Sequence, residues 1–344
     1  MSRIAILGCG SWGTALAKSL CEAGNEIRLW GHLAEEIDPI LADGENRKYL
    51  PGISLPSEIM ASTDLDACIE NADALLIVVP SLVIREVSSR LKSSPGLPPK
   101  AAWILASKGL DPETGRPLTD AIEDVAGTLG DRLMVLVGPS HAEEVGRGIP
   151  TALVLAGEAG PLREKLQHDF SSENLRVYVN EDRAGTQLGV ALKNVIALAS
   201  GICDGLGMGD NTKGALLSRG LAEMGRFIES YGGRRETLLG LAGVGDLVTT
   251  CFSQHSRNRY VGEQLGKGRD LDDILGDMVQ VAEGVYTART LHNLALDRQV
   301  EMPITEKIHG VLFEGADARQ AIKELMTRDP APEIRKGGAH GSRA

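Results

Sequence analysis

Lys193 is the residue whose surroundings most clearly suggest acid–base chemistry. It lies in the segment GVALKNVIALASG, where nearly every neighbour is small or apolar, so a helix here would be buried on most sides. Burial lowers the pKa of an ammonium group, and the neutral amine can then accept a proton at working pH. A structural lysine that is ion-paired or reaches out to solvent fits the same segment equally well.

A second group of polar residues follows in GLAGVGDLVTTCFSQHSRNRYVG. Asp246 could pair with Lys193 and hold it in place. Ser256, Arg257 and Asn258 open a predicted helix, and a helix start that offers a hydroxyl, a guanidinium and an amide suits a phosphate dianion. An ordinary helix cap at Ser256 with arginines at the surface explains these residues equally well.

Three glycines near the N-terminus have the spacing of a dinucleotide-binding turn. Gly8, Gly10 and Gly13 form GxGxxG between an apolar run and a helical pattern. The first glycine permits a tight turn, the second lets the backbone approach a pyrophosphate, and the third lets helix and strand pack closely. The motif is weak by itself in a chain with 41 glycines, but its place at the first strand–helix junction favours a dinucleotide site over a plain glycine-rich turn.

The second apolar run ends at Trp30 and is followed by Gly31 and His32. A protein selective for NAD often has Asp or Glu here to accept a hydrogen bond from the ribose 2′-hydroxyl. Neither is present, so a 2′-phosphate would meet no fixed repulsion. We therefore expect NADP(H) to be favoured and NAD(H) to be tolerated. His32 either contacts the adenosine end of the cofactor or is an exposed loop residue.

Other polar residues follow later apolar runs, where the carboxyl ends of parallel strands would meet. They are Lys108, Gly138, Ser140 and His141. One rim would then carry a phosphate loop, a lysine and a hydroxyl, as a dinucleotide and a small oxygen-rich substrate require. His141 is a candidate general base because imidazole titrates near neutrality, although a histidine in such a loop is more often a local hydrogen-bonding group. Lys108 alone fits a solvated loop lysine equally well.

The apolar pattern predicts the scaffold that positions these residues. Up to about residue 182, short β-branched or aliphatic runs alternate with helical stretches, which predicts an α/β fold with a doubly wound, Rossmann-like, mainly parallel sheet. The predicted strands are 3–7, 26–30, 74–79, 102–105, 133–137, 151–155 and 176–179. From 183 to 328 the pattern predicts an all-α second domain. We expect the segment 329–344 to be a disordered tail.

The overall composition excludes several classes of protein. Hydrophobic residues are 42% and charged residues 24% of 344, as in ordinary soluble proteins. A net charge of −11 argues against nucleic-acid or anionic-membrane partners. Five scattered cysteines without a CxxC pair favour a reducing cytoplasm over a disulfide framework or zinc site. The best apolar stretch, 189–202, contains Lys193 and Asn194, so no membrane span is expected.

Taken together and in order, the motifs resemble those of the bacterial-type NAD(P)-dependent glycerol-3-phosphate dehydrogenases. The resemblance runs from residue 3 to about residue 326. It rests on seven blocks in the family's order: GCGSWGTALA, LPGISLP, ASKGL, GPSHAEEV, LKNVIALASGICDGLGMGDNTKGALLSRGLAEM, GLAGVGDLVTTCFSQHSRNRYVG and VAEGVYTA. Such a set is far more specific than the glycine loop alone.

The resemblance implies roles for individual residues. Lys193 would be the proton acceptor, and no metal would be needed. Substrate would be held by Lys108, Gly138, Ser140, Lys193, Asp246, Ser256, Arg257 and Asn258. The dinucleotide, NADP(H) or NAD(H), would contact Gly8, Gly10, Ser11, Trp12, Gly13, His32, Lys108, Ala142, Arg257, Val281 and Glu283.

The resemblance also implies a reaction, reversible hydride transfer between C2 of glycerol 3-phosphate and nicotinamide. The main direction would be reduction of dihydroxyacetone phosphate for glycerophospholipid synthesis, by a homodimer. Two alternatives stay open. One is a β-hydroxyacid or 6-phosphogluconate-type dehydrogenase, whose carboxylate substrate Ser256, Arg257 and Asn258 could also bind. The other is a non-catalytic dinucleotide sensor.

Overall fold

The computed structural model describes residues 1–278, 282–330 and 332–333. Its strands are β1 (Arg3–Leu7), β2 (Glu26–Trp30), β3 (Met60–Ser62), β4 (Ala74–Ile77), β5 (Ala102–Leu105), β6 (Leu133–Val137), β7 (Thr151–Ala156) and β8 (Leu175–Asn180). They form one sheet in the order β3-β2-β1-β4-β5-β6-β7-β8. All neighbours are parallel except β6 and β7, so the predicted doubly wound, mainly parallel sheet is confirmed.

One strand is missing from the sequence prediction. β3 has only three residues and lies at the edge of the sheet beside β2. It contains none of the β-branched or aromatic residues that mark a strand, so its pattern is too short and too weak to detect. A smaller difference concerns β4, which ends at Ile77 rather than at residue 79.

Helices cover both faces of the sheet because its central strands are apolar at every position. In β1, Ile4 and Ile6 pack on one face while Ala5 and Leu7 pack on the other, and all four are fully buried. The helices of this part are α1 (Ser11–Glu22), α2 (Ala34–Asp43), α3 (Leu65–Ile69), α4 (Ile84–Ser93), α5 (Leu118–Ala126), α6 (Ala142–Gly146) and α7 (Pro161–Phe170). α1 and α7 share one face, and α3, α4 and α5 share the other.

Every regular element described after residue 182 is helical, which confirms the predicted all-α second part. The helices are α8 (Arg183–Gly205), α9 (Asp210–Ser230), α10 (Asp246–Phe252), α11 (Arg257–Gly266), α12 (Leu271–Gly276), α13 (Glu283–Asp297), α14 (Pro303–Phe313) and α15 (Ala318–Met326). The sequence prediction lacks α10, because it is seven residues long and rich in β-branched residues that lower helix propensity. It is nevertheless the helix that carries Asp246.

α8 is the central helix of the second part and is buried along nearly its whole length. A Cβ atom added to Gly201 would lie 2.0 Å from the carbonyl oxygen of Arg259 on α11, so the two helix backbones are in direct contact. At its other end, Val190 packs into the apolar cluster beneath the sheet. In the described part of the chain, α8 alone is long and apolar enough to cross a membrane, and 89% of that window is buried inside the protein.

The predicted division between residues 182 and 183 coincides with the start of α8. Asp182 caps this helix by accepting a hydrogen bond from the Gly185 N–H at 2.8 Å. The division into two domains stays a prediction. Val281, a predicted cofactor contact, lies outside the described residues. Residue 331 and residues 334–344, which are most of the predicted tail, also lie outside them.

Candidate active site

A cleft of about 610 Å³ lies at the carboxyl ends of β1, β2, β4 and β5, and α8, α10 and α11 border it from the helical part. Its volume is in the range of ligand and cofactor pockets. The predicted site residues that line it are Gly8, Gly10, Ser11, Trp12, Gly13, His32, Lys108, Ser140, Lys193, Asp246, Ser256, Arg257, Asn258 and Glu283. Gly138 and Ala142 do not line the cleft. Ala142 is instead buried against α1.

The glycine loop has the geometry of an anion cradle. Gly8 has φ +119°, and a Cβ atom there would lie 2.4 Å from the Val78 carbonyl oxygen. A Cβ atom on Gly13 would lie 1.9 Å from the Gly8 carbonyl oxygen, so both positions require glycine. Gly10 is different, because its Cβ position is open space. No side chain caps α1, so its first amide groups are available to a phosphate at the open position.

Two buried polar atoms that line the same cleft support this interpretation. Trp12 Nε1 and His141 Nε2 have no hydrogen-bond partner in the part of the protein that the structure describes. Buried polar groups normally find a partner, so both atoms are placed to meet a ligand. Together with the open position at Gly10, they support a dinucleotide site in this cleft.

The chemical centre of the cleft is one carboxylate between two lysines. Lys108 Nζ donates to Asp246 Oδ2 at 2.9 Å and to the Gly138 carbonyl oxygen at 3.0 Å. Lys193 Nζ donates to Asp246 Oδ1 at 3.3 Å and to the Thr250 hydroxyl. The contact between Lys193 and Asp246 expected from the sequence is therefore present. The fold joins it to Lys108, which lies 138 residues from Asp246 in the chain.

The electrostatics of this group favour proton exchange at Lys193. Burial lowers the pKa of Lys193 to about 8, Asp246 opposes the shift, and the ammonium group of Lys108 adds to it. Burial by itself would raise the pKa of Asp246, but the two lysines hold it below its ordinary value. Burial and the same two lysines lower the pKa of His141, which therefore stays neutral near pH 7. Because the pKa of His141 is the lower of the two, His141 is a weaker base than Lys193.

The start of α11 combines helix capping with polar groups that line the cleft. The Ser256 hydroxyl accepts a hydrogen bond from the Arg259 N–H at 3.2 Å, so it is a helix cap as well as a cleft residue. Asn258 Oδ1 accepts from the Gly284 N–H at 2.9 Å, which leaves its amide N–H groups for a ligand. Arg257 is exposed in the cleft. A guanidinium, an amide and a helix N-terminus thus face the same space.

Glu283 at the start of α13 connects the helical part to the loop after β4. Its Oε2 accepts a hydrogen bond from the Ser81 hydroxyl at 2.8 Å. Burial raises the pKa of Glu283, and the two hydrogen bonds from Ser81 oppose this shift. The contact places Glu283 beside the loop that follows β4, and it links the two parts of the chain.

Sequence analysis does not identify some of the residues that line the cleft. Thr250 follows Asp246 by one helical turn and contacts Lys193, a spacing that would have indicated it if α10 had been predicted. Arg90, Glu36 and Tyr49 also line the cleft, and no motif marks them. Among the described residues there is no group of three or more His, Cys, Asp and Glu side chains that could hold a metal ion.

Comparison with known proteins gives the family. The N-terminal model of NAD-dependent glycerol-3-phosphate dehydrogenase matches residues 3–161, and the C-terminal model matches residues 182–323. The glycerol-3-phosphate dehydrogenase (NAD(P)+) of Chlorobium limicola is 43% identical over 333 residues, which are 96% of this chain and 99% of that protein. The Bacillus anthracis protein of the same name is 45% identical over 335 residues, 97% of this chain and 98% of that protein.

A solved structure agrees with these matches. The glycerol-3-phosphate dehydrogenase of Coxiella burnetii superposes with a TM-score of 0.90 at 41% identity, covering 95% of this chain and 99% of that one. The resemblance inferred from the seven sequence blocks is confirmed. The chain belongs to the NAD-dependent glycerol-3-phosphate dehydrogenase family.

Proposed function

We propose that this protein catalyses reversible hydride transfer between the C2 position of sn-glycerol 3-phosphate and NAD(P), with Lys193 as the proton acceptor. The observation that carries the proposal is the desolvated Lys193 amine, held by Asp246 in the cleft that also contains the glycine loop. A sensor that only binds a dinucleotide does not require such an amine. The family matches do not favour the alternative of a β-hydroxyacid substrate.

The cofactor site begins at the glycine loop. The N-terminus of α1 and the open face of Gly10 would hold the pyrophosphate, and Trp12, His32 and Glu283 would line the rest of the dinucleotide. When bound, the nicotinamide supplies the hydride acceptor or donor. Val281 and Ala142 stay in the proposed set on the strength of the resemblance alone.

The substrate site lies between the two parts of the chain. Arg257, the Asn258 amide and the start of α11 would bind the phosphate, with Ser256 completing the site. Lys108, near the Gly138 carbonyl and Ser140, would orient the C2 oxygen. Anchoring the phosphate would hold C2 at a fixed distance from the nicotinamide ring, so that substrate binding also positions the reacting atom.

Proton transfer would take place at Lys193 Nζ. In the oxidative direction the neutral amine takes the proton of the C2 hydroxyl. In the reductive direction the ammonium group returns a proton to the C2 oxygen. Asp246 orients Nζ, while Lys108 contributes a fixed positive charge that stabilises the developing alkoxide. A pKa of about 8 lets one group serve both directions near neutral pH.

The physiological direction, location and assembly are further parts of this proposal. Reduction of dihydroxyacetone phosphate would supply glycerol 3-phosphate for glycerophospholipid synthesis. All five cysteines are unpaired, which supports a reducing compartment such as the cytoplasm. A homodimer is inferred from the resemblance and is tested by sedimentation equilibrium.

The test of function is the loss of nicotinamide absorbance when dihydroxyacetone phosphate is added, with NADPH and NADH in parallel. Turnover with either cofactor supports the proposed reaction. Binding of the cofactors without turnover would favour a different hydroxyacid or a sensor, and a panel of β-hydroxyacids and 6-phosphogluconate distinguishes these two.

A further inference from the structure

Arg90 lies beside the end of β2, where a dinucleotide's adenosine ribose is expected. It belongs to α4, far from the glycine loop in the sequence, yet it lines the same cleft as Trp30 and His32. The Arg90 Cζ lies 4.9 Å from the centroid of the Trp30 ring. Its Nη1 lies 3.1 Å from His32 Nδ1. The fold therefore brings a guanidinium group to the position that distinguishes NADP from NAD.

The partners of this guanidinium leave its positive charge unneutralised. Within residues 1–278, 282–330 and 332–333, no carboxylate forms an ion pair with Arg90, and its contacts are the aromatic face of Trp30 and the ring of His32. An arginine stacked on an aromatic ring keeps its N–H groups directed sideways, ready for a bidentate contact. Because arginine has no acceptor, His32 Nδ1 must accept from it, and Nε2–H remains a donor for a ligand.

Glu36 and Glu86 carry carboxylates that line the same cleft as Arg90. Glu86 lies one helical turn before Arg90 on α4, and no ion pair joins the two in the described part of the chain. Glu36 Oε1 accepts a hydrogen bond from the Tyr49 hydroxyl at 2.7 Å. Its Oε2 accepts from Cys9 Sγ at 3.6 Å. Both oxygens thus have protein partners, whereas the N–H groups of Arg90 and the Nε2–H of His32 are suited to an anion. These donor groups at the end of β2 suit a phosphate.

We propose that Arg90, with His32, binds the 2′-phosphate of NADP(H) and sets a preference for NADP(H) over NAD(H). The proposal rests on the cofactor-binding part of the proposed function, and it names a residue that no sequence motif marks. Arg90 would donate two N–H groups to the phosphate while it stays stacked on Trp30. His32 would add a third hydrogen bond from Nε2.

The test compares two nucleotides that differ only in the 2′-phosphate. Adenosine 2′,5′-bisphosphate and adenosine 5′-monophosphate are titrated calorimetrically into the full-length protein and into Arg90→Gln. We expect the variant to lose about tenfold or more in affinity for the bisphosphate, since two charge-assisted hydrogen bonds are removed. Its affinity for the monophosphate should change less than about twofold. Lys92→Gln removes the same charge from an exposed site on α4 that does not line the cleft and should affect neither nucleotide.

Each other outcome overturns the proposal. An equal loss for both nucleotides would mean that Arg90 contacts the adenosine and does not read the 2′-phosphate. No loss for either would mean that it is not a ligand-binding residue, and binding of neither nucleotide by the unaltered protein would overturn the cofactor site as well. The steady-state preference for NADPH over NADH should fall in parallel. Failure of the proposed reaction is recognised separately, because it leaves the nucleotide titrations unchanged.

Discussion

Replacing Asp246 by asparagine tests the electrostatic account of Lys193 directly. The substitution keeps the shape of the side chain and removes the charge that Lys193 Nζ meets at 3.3 Å and Lys108 Nζ at 2.9 Å. The pKa of Lys193 in the unaltered protein is about 8 because burial and Lys108 lower it while Asp246 raises it. Without the carboxylate the main influence that raises the pKa is gone, and only the weaker one of Cys251 still opposes the lowering. We therefore expect the pKa of Lys193 to fall below 8.

The size of the shift follows from the distance. At an effective dielectric constant of about 20, two unit charges 3.3 Å apart interact by roughly 5 kcal/mol. Relaxation of Lys108 and entry of water reduce this value, but even a third of it moves a pKa by more than about one unit. The sign is fixed, because the variant amine loses its proton at lower pH than the original one.

The assay is the pH dependence of kcat/KM in both directions. For glycerol 3-phosphate oxidation the base must be neutral, so kcat/KM rises as pH passes the pKa of Lys193. In Asp246→Asn this rise should move to lower pH by at least about one unit. Reduction of dihydroxyacetone phosphate at pH 7 should weaken, because fewer Lys193 side chains then carry the proton to be donated.

Thr250→Val is the matched control, since it removes a neutral contact from the same amine. We expect it to move the midpoint less than Asp246→Asn does. A midpoint in Asp246→Asn that stays unchanged or moves to higher pH would refute the reasoning. In that case a group other than Lys193 would control the rate.

Three further predictions address catalysis, cofactor binding and packing. Lys193→Met should lower turnover by about 10³-fold with the Kd for NADPH within about threefold of the original; unchanged turnover would exclude Lys193 as the proton acceptor. Gly10→Val should abolish dinucleotide binding in calorimetry while the melting temperature is kept, because its Cβ enters open space; loss of folding would contradict this. Gly201→Ala should lower the free energy of unfolding in urea by about 1–3 kcal/mol or more. Gly214 is exposed in α9 with no atom near its Cβ position, so Gly214→Ala should raise that free energy by about 0.5–1 kcal/mol. Equal effects would disprove backbone contact between α8 and α11.

The sheet and the glycine loop could be predicted because their signals are local. Strands buried on both faces are apolar at every position, as in β1, where Ile4 and Ala5 face opposite sides and are both fully buried. The spacing of Gly8, Gly10 and Gly13 is likewise local, because all three glycines belong to one strand-to-helix turn. β3 lacks such a signal, because three residues at the edge of a sheet bury too little surface to need an apolar pattern.

The contacts of Lys193 could be predicted only in part. Its burial follows from the apolar segment around it, and Asp246 is a natural partner for a buried ammonium group. The additional contact between Asp246 and Lys108 depends on how the helical part packs against the rim of the sheet. The two lysines are 85 positions apart in the sequence, and no pattern along the chain encodes the distance between their side chains in the fold.

The backbone immediately before Asp246 explains why the start of α10 is hidden in the sequence. Leu241–Gly245 forms a turn of π-helix that leads directly into α10. Such turns are rare and short, and they are frequent at functional sites. Here the turn lets Asp246 begin α10 with its carboxylate between Lys108 and Lys193. The sequence can thus indicate candidates for the chemistry, whereas the contact of one carboxylate with both lysines follows an irregular piece of backbone that the sequence does not reveal.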